Sequence, residues 1–160
     1  MNEEKLYLAS IKPKYAYRIF TGTKKFELRR WIGIRPIENS TIVVYASGSV
    51  KAIIGEFKVG RVLFAKPSDI WDMLSTLGNT GVGVEDYQYI KGAKKALAIE
   101  VVNPILYIKP ITLDEIRNII PRFTPPMSFR ELSIHEPLYE MIIRKARELT
   151  YSSYKNKNLT

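Results

Sequence analysis

The sequence predicts an α+β domain: a small β-barrel of about five to six strands with short peripheral helices and a C-terminal helix. Three observations predict it. Short β-branched and aromatic runs alternate with short helical patterns. Glycines interrupt the longest strand run, as they do where strands bend to close a barrel. No repeat or linker divides the 160 residues, so one domain is expected over 1–150, with a flexible polar tail over 152–160.

Each element has its own justification. Leu6 to Ile11 reads as a strand. Pro13 suits the first helical position, Ala16, Ile19 and Phe20 follow at helical spacing, and Gly22 supplies the left-handed cap. A second strand covers Lys24 to Arg30 and a third Ile42 to Ser47. Ser47-Gly48-Ser49 turns into a long arm, Lys51 to Phe64, where Gly55 and Gly60 mark bulges. Ser68 is expected to cap a helix over 69–77, and a flexible loop from Gly78 to Gly83 leads to a short helix over 85–91. Lys95 to Val102 and Ile105 to Ile108 read as two strands. Thr112 and Glu115 form a capping box for a helix ending at Ile120. The last helix is expected over 137–151, burying Leu138, Met141, Ile142 and Leu149 and presenting Arg144, Lys145, Arg147 and Glu148 to water.

Composition excludes several classes of chemistry. There is no cysteine, hence no disulfide, thiolate metal site or cysteine nucleophile. His135 is the single histidine, without partners for a metal site, and no metal or cofactor is expected. No apolar run approaches the roughly 18 residues of a membrane span. Met1-Asn2-Glu3-Glu4 lacks a signal-peptide pattern, so a cytoplasmic location is expected. One Gln and many Ile, Lys and Arg residues are the composition of a thermophilic source.

The net charge is +9 and uneven. Residues 1–35 carry nine Lys or Arg against three Glu, and 137–160 carry five against two, while 36–136 balance. A polarised basic surface favours polyanionic partners, a nucleic acid or a nucleotide, although a merely basic soluble protein has the same composition. Within the basic third, Gly22-Thr-Lys-Lys-Phe-Glu-Leu-Arg-Arg30 holds one carboxylate among cations. Strand alternation sends Phe26 and Leu28 to one face and Lys25, Glu27 and Arg29 to the other. Lys24, Lys25, Glu27, Arg29 and Arg30 are therefore candidates for binding a nucleotide, with a plain strand ion pair as the alternative. Lys12 and Lys14 at the first helix make a phosphate seat or a solvated turn. Tyr45 and Ser47 either line a pocket with these residues or belong to the core and its hairpin. Arg130 brings a planar fork suited to phosphate or guanine.

Leu8-Ala-Ser-Ile-Lys-Pro-Lys-Tyr-Ala16, Ile19 to Arg29 with its Gly-x-Lys-x-x-Glu-x-Arg core, Tyr45-Ala-Ser47, Gly55-Glu-Phe57, Pro110-Ile-Thr-Leu113 and Pro126-Met-Ser-Phe-Arg130 together resemble the ASCH domain, a branch of the PUA-like superfamily. The resemblance covers about 5–132. It implies a barrel with a pocket near the first helix and second strand. It also implies RNA or nucleotide binding through a basic cleft, or, in some members, hydrolysis of RNA or acylated cytidine. For a hydrolase the candidate catalytic pair is Lys24 and Glu27. The position where the acylcytidine amidohydrolases carry threonine is Glu27 here, and a carboxylate does not replace a hydroxyl nucleophile. The amphipathic last helix, outside the resemblance, is a candidate surface for self-association.

Overall fold

A computed structural model describes residues 3–158. Six strands form one curled sheet: β1 (Leu6–Ile11), β2 (Phe26–Arg30), β3 (Thr41–Ala46), β4 (Ala52–Ala65), β5 (Ala96–Thr112) and β6 (Phe129–Leu132). Their spatial order is β2-β5-β4-β3-β1-β6. β1 runs parallel to β3, and every other pair is antiparallel. The helices are α1 (Pro13–Phe20), α2 (Pro67–Leu77), α3 (Val84–Ile90), α4 (Leu113–Ile119) and α5 (Arg144–Asn158), the last preceded by a π-helical turn, Leu138–Ile143.

Both faces of the central strands are buried, which is why they read as continuous apolar runs. Tyr7, Ala9, Ile11, Ile42, Val44 and Ala46 face the barrel interior, where Ala16 and Ile19 of α1 join them. Leu6, Leu8, Val43 and Tyr45 face outward under α4 and the C-terminal turn. A third cluster, including Phe26, Leu28, Ile70, Leu74 and Ile90, packs α2 and α3 against β2 and β5. Each Leu or Ile so buried stabilises the fold by about 1.5–3 kcal/mol.

Residues 96–112 form one strand rather than two. Asn103, at φ 49°, bulges together with Pro104, while Val102 pairs with Lys58 and Ile105 with Glu56. A proline in a bulge forfeits no ladder hydrogen bond. Gly55 permits the facing bend, since a Cβ there would lie 2.3 Å from the Ile105 carbonyl oxygen. α2 begins at Pro67, not behind a Ser68 cap, because the fixed φ of proline suits the first position.

The C-terminal pattern departs most from expectation. Leu138 and Ile142 are buried, as is Ile143, but Met141 and Leu149 are exposed. The wider π turn rotates the following helix, so one 3.6-residue stripe does not track a single face. Arg147, expected on the wet side, points into the protein. The helix runs on to Asn158, beyond the 137–151 expected; the last two residues of the expected tail lie outside the described residues.

Candidate functional site

The site begins with the side-chain alternation of β2. Phe26 and Leu28 enter the cluster under α2 and α3, so Glu27 and Arg29 face inward. Gly22, at φ 83°, ends α1 and reverses the chain. The Lys24 amide donates to the Arg18 carbonyl (3.0 Å) and the Lys25 amide to the Thr80 carbonyl (2.8 Å). Residues 23–25 are thus clipped between α1 and the 78–83 loop.

This clip drives the Lys24 side chain inside, where it is 2 % exposed. Its Nζ lies 2.9 Å from Asp86 Oδ1, 3.5 Å from Glu27 Oε1 and 4.6 Å from the centroid of the Tyr15 ring. A buried ammonium needs such compensation. Asp86 is fixed in turn, its Oδ2 accepting from the Gly83 amide (2.8 Å) at the start of α3. Glu27 is therefore not a lone acid: one lysine stands between two carboxylates.

Arg29 closes the barrel seam. β2 and β6 are the two edges of the sheet. The Arg29 guanidinium donates to the Ser10 carbonyl (3.2 Å) on β1 and to the Ser128 hydroxyl (3.0 Å) just before β6. Ser10 is held there by its hydroxyl bond to the Pro126 carbonyl (2.5 Å). Two polar atoms remain buried without a partner among the described residues, Glu27 Oε2 and Arg29 Nε.

Along this seam opens a cavity of about 720 Å³. Of the expected residues, Lys12, Lys24, Glu27, Arg29, Tyr45 and Ser47 line it. Lys14, Lys25, Arg30 and Arg130 do not. Lys14 pairs with Glu85 (2.7 Å) in water, and Lys25 is exposed. Arg30 donates to the carbonyls of Tyr89 and Lys91, and Arg130 pairs with Glu136 (3.0 Å). Much of the N-terminal positive charge is thus spent internally. Lys14, Lys24 and Arg30, with Arg18 bonded to the Gly81 carbonyl (2.6 Å), hold the segment that forms one cavity wall. The lining carries Lys12, Lys24, Arg29 and Lys51 against Glu27, Glu85 and Asp86, a near balance rather than a purely basic cleft.

Sequence reasoning did not single out Asp86, Tyr15, Tyr89, Lys51 or Ser10 for the site. Gly83-Val-Glu-Asp86 does carry a helix-start signal, but its meeting with Lys24 is tertiary. Lys51 holds a left-handed backbone, φ 49°, at the cavity. The Tyr45 phenol is pushed up by burial, opposed by Arg117, and stays protonated. No group of three or more His, Cys, Asp or Glu side chains among the described residues is arranged to hold a metal ion.

A second buried polar cluster lies away from the cavity. Arg147 donates to Glu56 (2.7 and 3.2 Å), Glu4 (3.0 and 2.8 Å) and the Tyr139 hydroxyl (3.0 Å). The Tyr107 and Tyr151 hydroxyls each donate to Glu56 at 2.8 Å. Burial and the Glu56 charge raise both phenols, Tyr151 to about 12.

A family model described as the ASCH domain matches residues 10–111. An ASCH domain-containing ribonuclease of Zymomonas mobilis is 29 % identical over 136 residues, 84 % of this chain and 88 % of the relative. The crystal structure of ASCH from Zymomonas mobilis superposes with a TM-score of 0.70 at 27 % identity, covering 87 % of this chain and 95 % of that one. The N-terminal domain of Staphylothermus marinus McrB shares the fold, with a TM-score of 0.56 at 17 % identity, over 90 % and 98 % of the two chains.

Proposed function

The chain belongs to the ASCH domain family, and on that premise we propose that it binds RNA, admitting a nucleotide to the cavity at the barrel seam. The observation that carries this reading is the cavity itself. Its roughly 720 Å³ lies within the range of small-molecule sites and far below what a duplex needs. One wall offers fixed charges at Lys24, Glu27, Arg29 and Asp86, and the lining also offers Tyr45 and Ser47. The near balance of charge suits a discrete nucleotide better than a featureless polyanion track. Exposed Lys12 and Lys51 at the cavity are placed to meet flanking phosphates.

A second reading, RNA cleavage, is favoured by the name of the Zymomonas relative, a ribonuclease. Lys24 is held by two carboxylates, so its role is electrostatic, and Glu27 is the group with a free acceptor oxygen. In this reading Glu27 takes the proton of a ribose 2′-hydroxyl, whose oxygen bonds to the adjacent phosphorus as the bond from phosphorus to the 5′-oxygen of the next nucleotide breaks; a 2′,3′-cyclic phosphate remains, and the departing oxygen takes a proton from water to leave as a 5′-hydroxyl. Arg29 and Lys24 offset the negative charge that develops.

The test is titration of a labelled single-stranded RNA 12-mer with the wild type and a Lys12→Gln/Lys51→Asn variant. Asparagine tolerates the left-handed backbone at 51. Saturable binding that weakens about fivefold in the variant, as loss of two phosphate contacts implies, supports the proposal. Absence of saturable binding by the wild type overturns it, and strand scission during the titration selects the cleavage reading.

A further inference from the structure

The two orphaned atoms say more about the occupant. Glu27 and Arg29 are each 5 % exposed, lie two positions apart on one strand face, and both line the cavity. Their other polar atoms are committed: Glu27 Oε1 to Lys24, and the two terminal nitrogens of Arg29 to Ser10 and Ser128. The two atoms with no partner at all are one acceptor, Glu27 Oε2, and one donor, Arg29 Nε. Buried groups of this kind require partners.

A phosphate is the wrong partner, because its ionised oxygens only accept and would meet the Glu27 carboxylate. A matching ligand sets an N–H or O–H donor beside an acceptor. A ribose diol does so, but it has no flat face for Tyr15 and Tyr89, which line the cavity next to Lys24 and Arg29. A nucleobase has both the edge and the π-face.

We infer that the cavity takes an unpaired nucleobase, with its Watson–Crick edge against Glu27 Oε2 and Arg29 Nε. All four bases carry a donor next to an acceptor on that edge. The pair therefore separates unpaired from paired bases rather than one base from another. In a duplex this edge is already occupied, so single strands, loops and free nucleotides are the substrate class. The inference rests on the RNA-binding proposal and adds the part of the ligand that is read.

The main test uses the wild-type protein. Three labelled 12-mers with 2′-fluoro sugars, which lack the hydroxyl that cleavage uses, are titrated: oligouridine, the same strand paired with oligoadenosine, and oligo-3-methyluridine. The methyl group blocks the edge without altering charge. Oligouridine is expected to bind at least roughly tenfold more tightly than either of the others, the scale of a lost edge contact. Methylated and plain strands of equal affinity overturn the edge reading while RNA binding stands. If the duplex binds as tightly as the single strand, the unpaired-base requirement falls. No saturable binding to any of the three overturns both proposals. Glu27→Gln supplies a protein-side check: in a variant with unchanged circular dichroism, retained wild-type affinity overturns the role given to Glu27, and a loss of about tenfold supports it. If that variant does not fold, the methylated strand decides.

Discussion

The Arg29 guanidinium on one edge strand of the sheet donates to the Ser128 hydroxyl ahead of the other edge strand, at 3.0 Å. The same side chain reaches the Ser10 carbonyl, so three separate segments meet at one planar group. The width of the cavity is set there. The first prediction follows: Arg29→Met leaves the Ser10 carbonyl and Ser128 hydroxyl without their donor and destabilises the fold by about 1–3 kcal/mol. Ser128→Ala removes one contact and costs about 1 kcal/mol. Urea denaturation of both variants checks the order, and equal losses would contradict the three-way staple.

Arg147 is the cation between Glu56 and Glu4. Arg147→Met strands the Glu56 carboxylate in the interior and is expected to cost about 3–5 kcal/mol, the usual penalty for removing one partner of a buried pair. Denaturant midpoints read this directly. A loss below about 1 kcal/mol, typical of an exposed pair, would contradict it.

Stability is expected to plateau between the ordinary carboxylate and tyrosine values, 4.5 and 10.0, and to fall on both sides. Burial pushes the Glu4 and Glu136 carboxyls up, but hydrogen bonds from Arg147 and Arg130 outweigh it and hold them low. Arg61 lowers Glu100. A lowered carboxyl contributes stability above its unfolded value, lost as pH falls through the folded one. Tyr107 and Tyr151 are raised, so their contribution is whole below 10.0 and is lost as pH rises, for Tyr151 toward about 12. Melting temperatures across this range check both limbs. A maximum confined to the acid side would contradict the assignment.

Gly81 sits at φ 74°, and a Cβ there would lie 1.8 Å from the Thr23 carbonyl oxygen. Gly81→Ala is expected to cost more than about 1 kcal/mol and to displace the clip that buries Lys24. Hydrogen exchange at the Lys24 and Lys25 amides should accelerate in that variant. Unchanged protection would show that the loop does not hold the site.

RNA affinity should depend only gently on salt. With Lys12 and Lys51 as the available phosphate contacts, the slope of log K against log salt is about −1.4 for a single strand. Titrations between low and moderate salt measure it. A slope several times steeper would move the contact surface away from the cavity.

The barrel was legible because β-branched runs, Gly55 and the Gly22 cap each carry a local signal. Half of the site was legible for the same reason: alternation along β2 turns Glu27 and Arg29 to one face. The other half was not, since Asp86 reaches Lys24 only through the packing of α3 on β2. Arg147 was misread because a π turn breaks the 3.6-residue period ahead of it. A signal for its partner existed: Glu56 is the single acid within the apolar run Ile53 to Phe57, and an acid there demands a buried cation.

Glu56 and Arg147 are separated by 91 positions along the chain. While the ribosome is still making the middle of the protein, strand β4 already exists but its counter-ion does not. A nascent barrel would have to enclose a carboxylate without its cation. Completion of the fold is therefore expected only once the final helix has emerged.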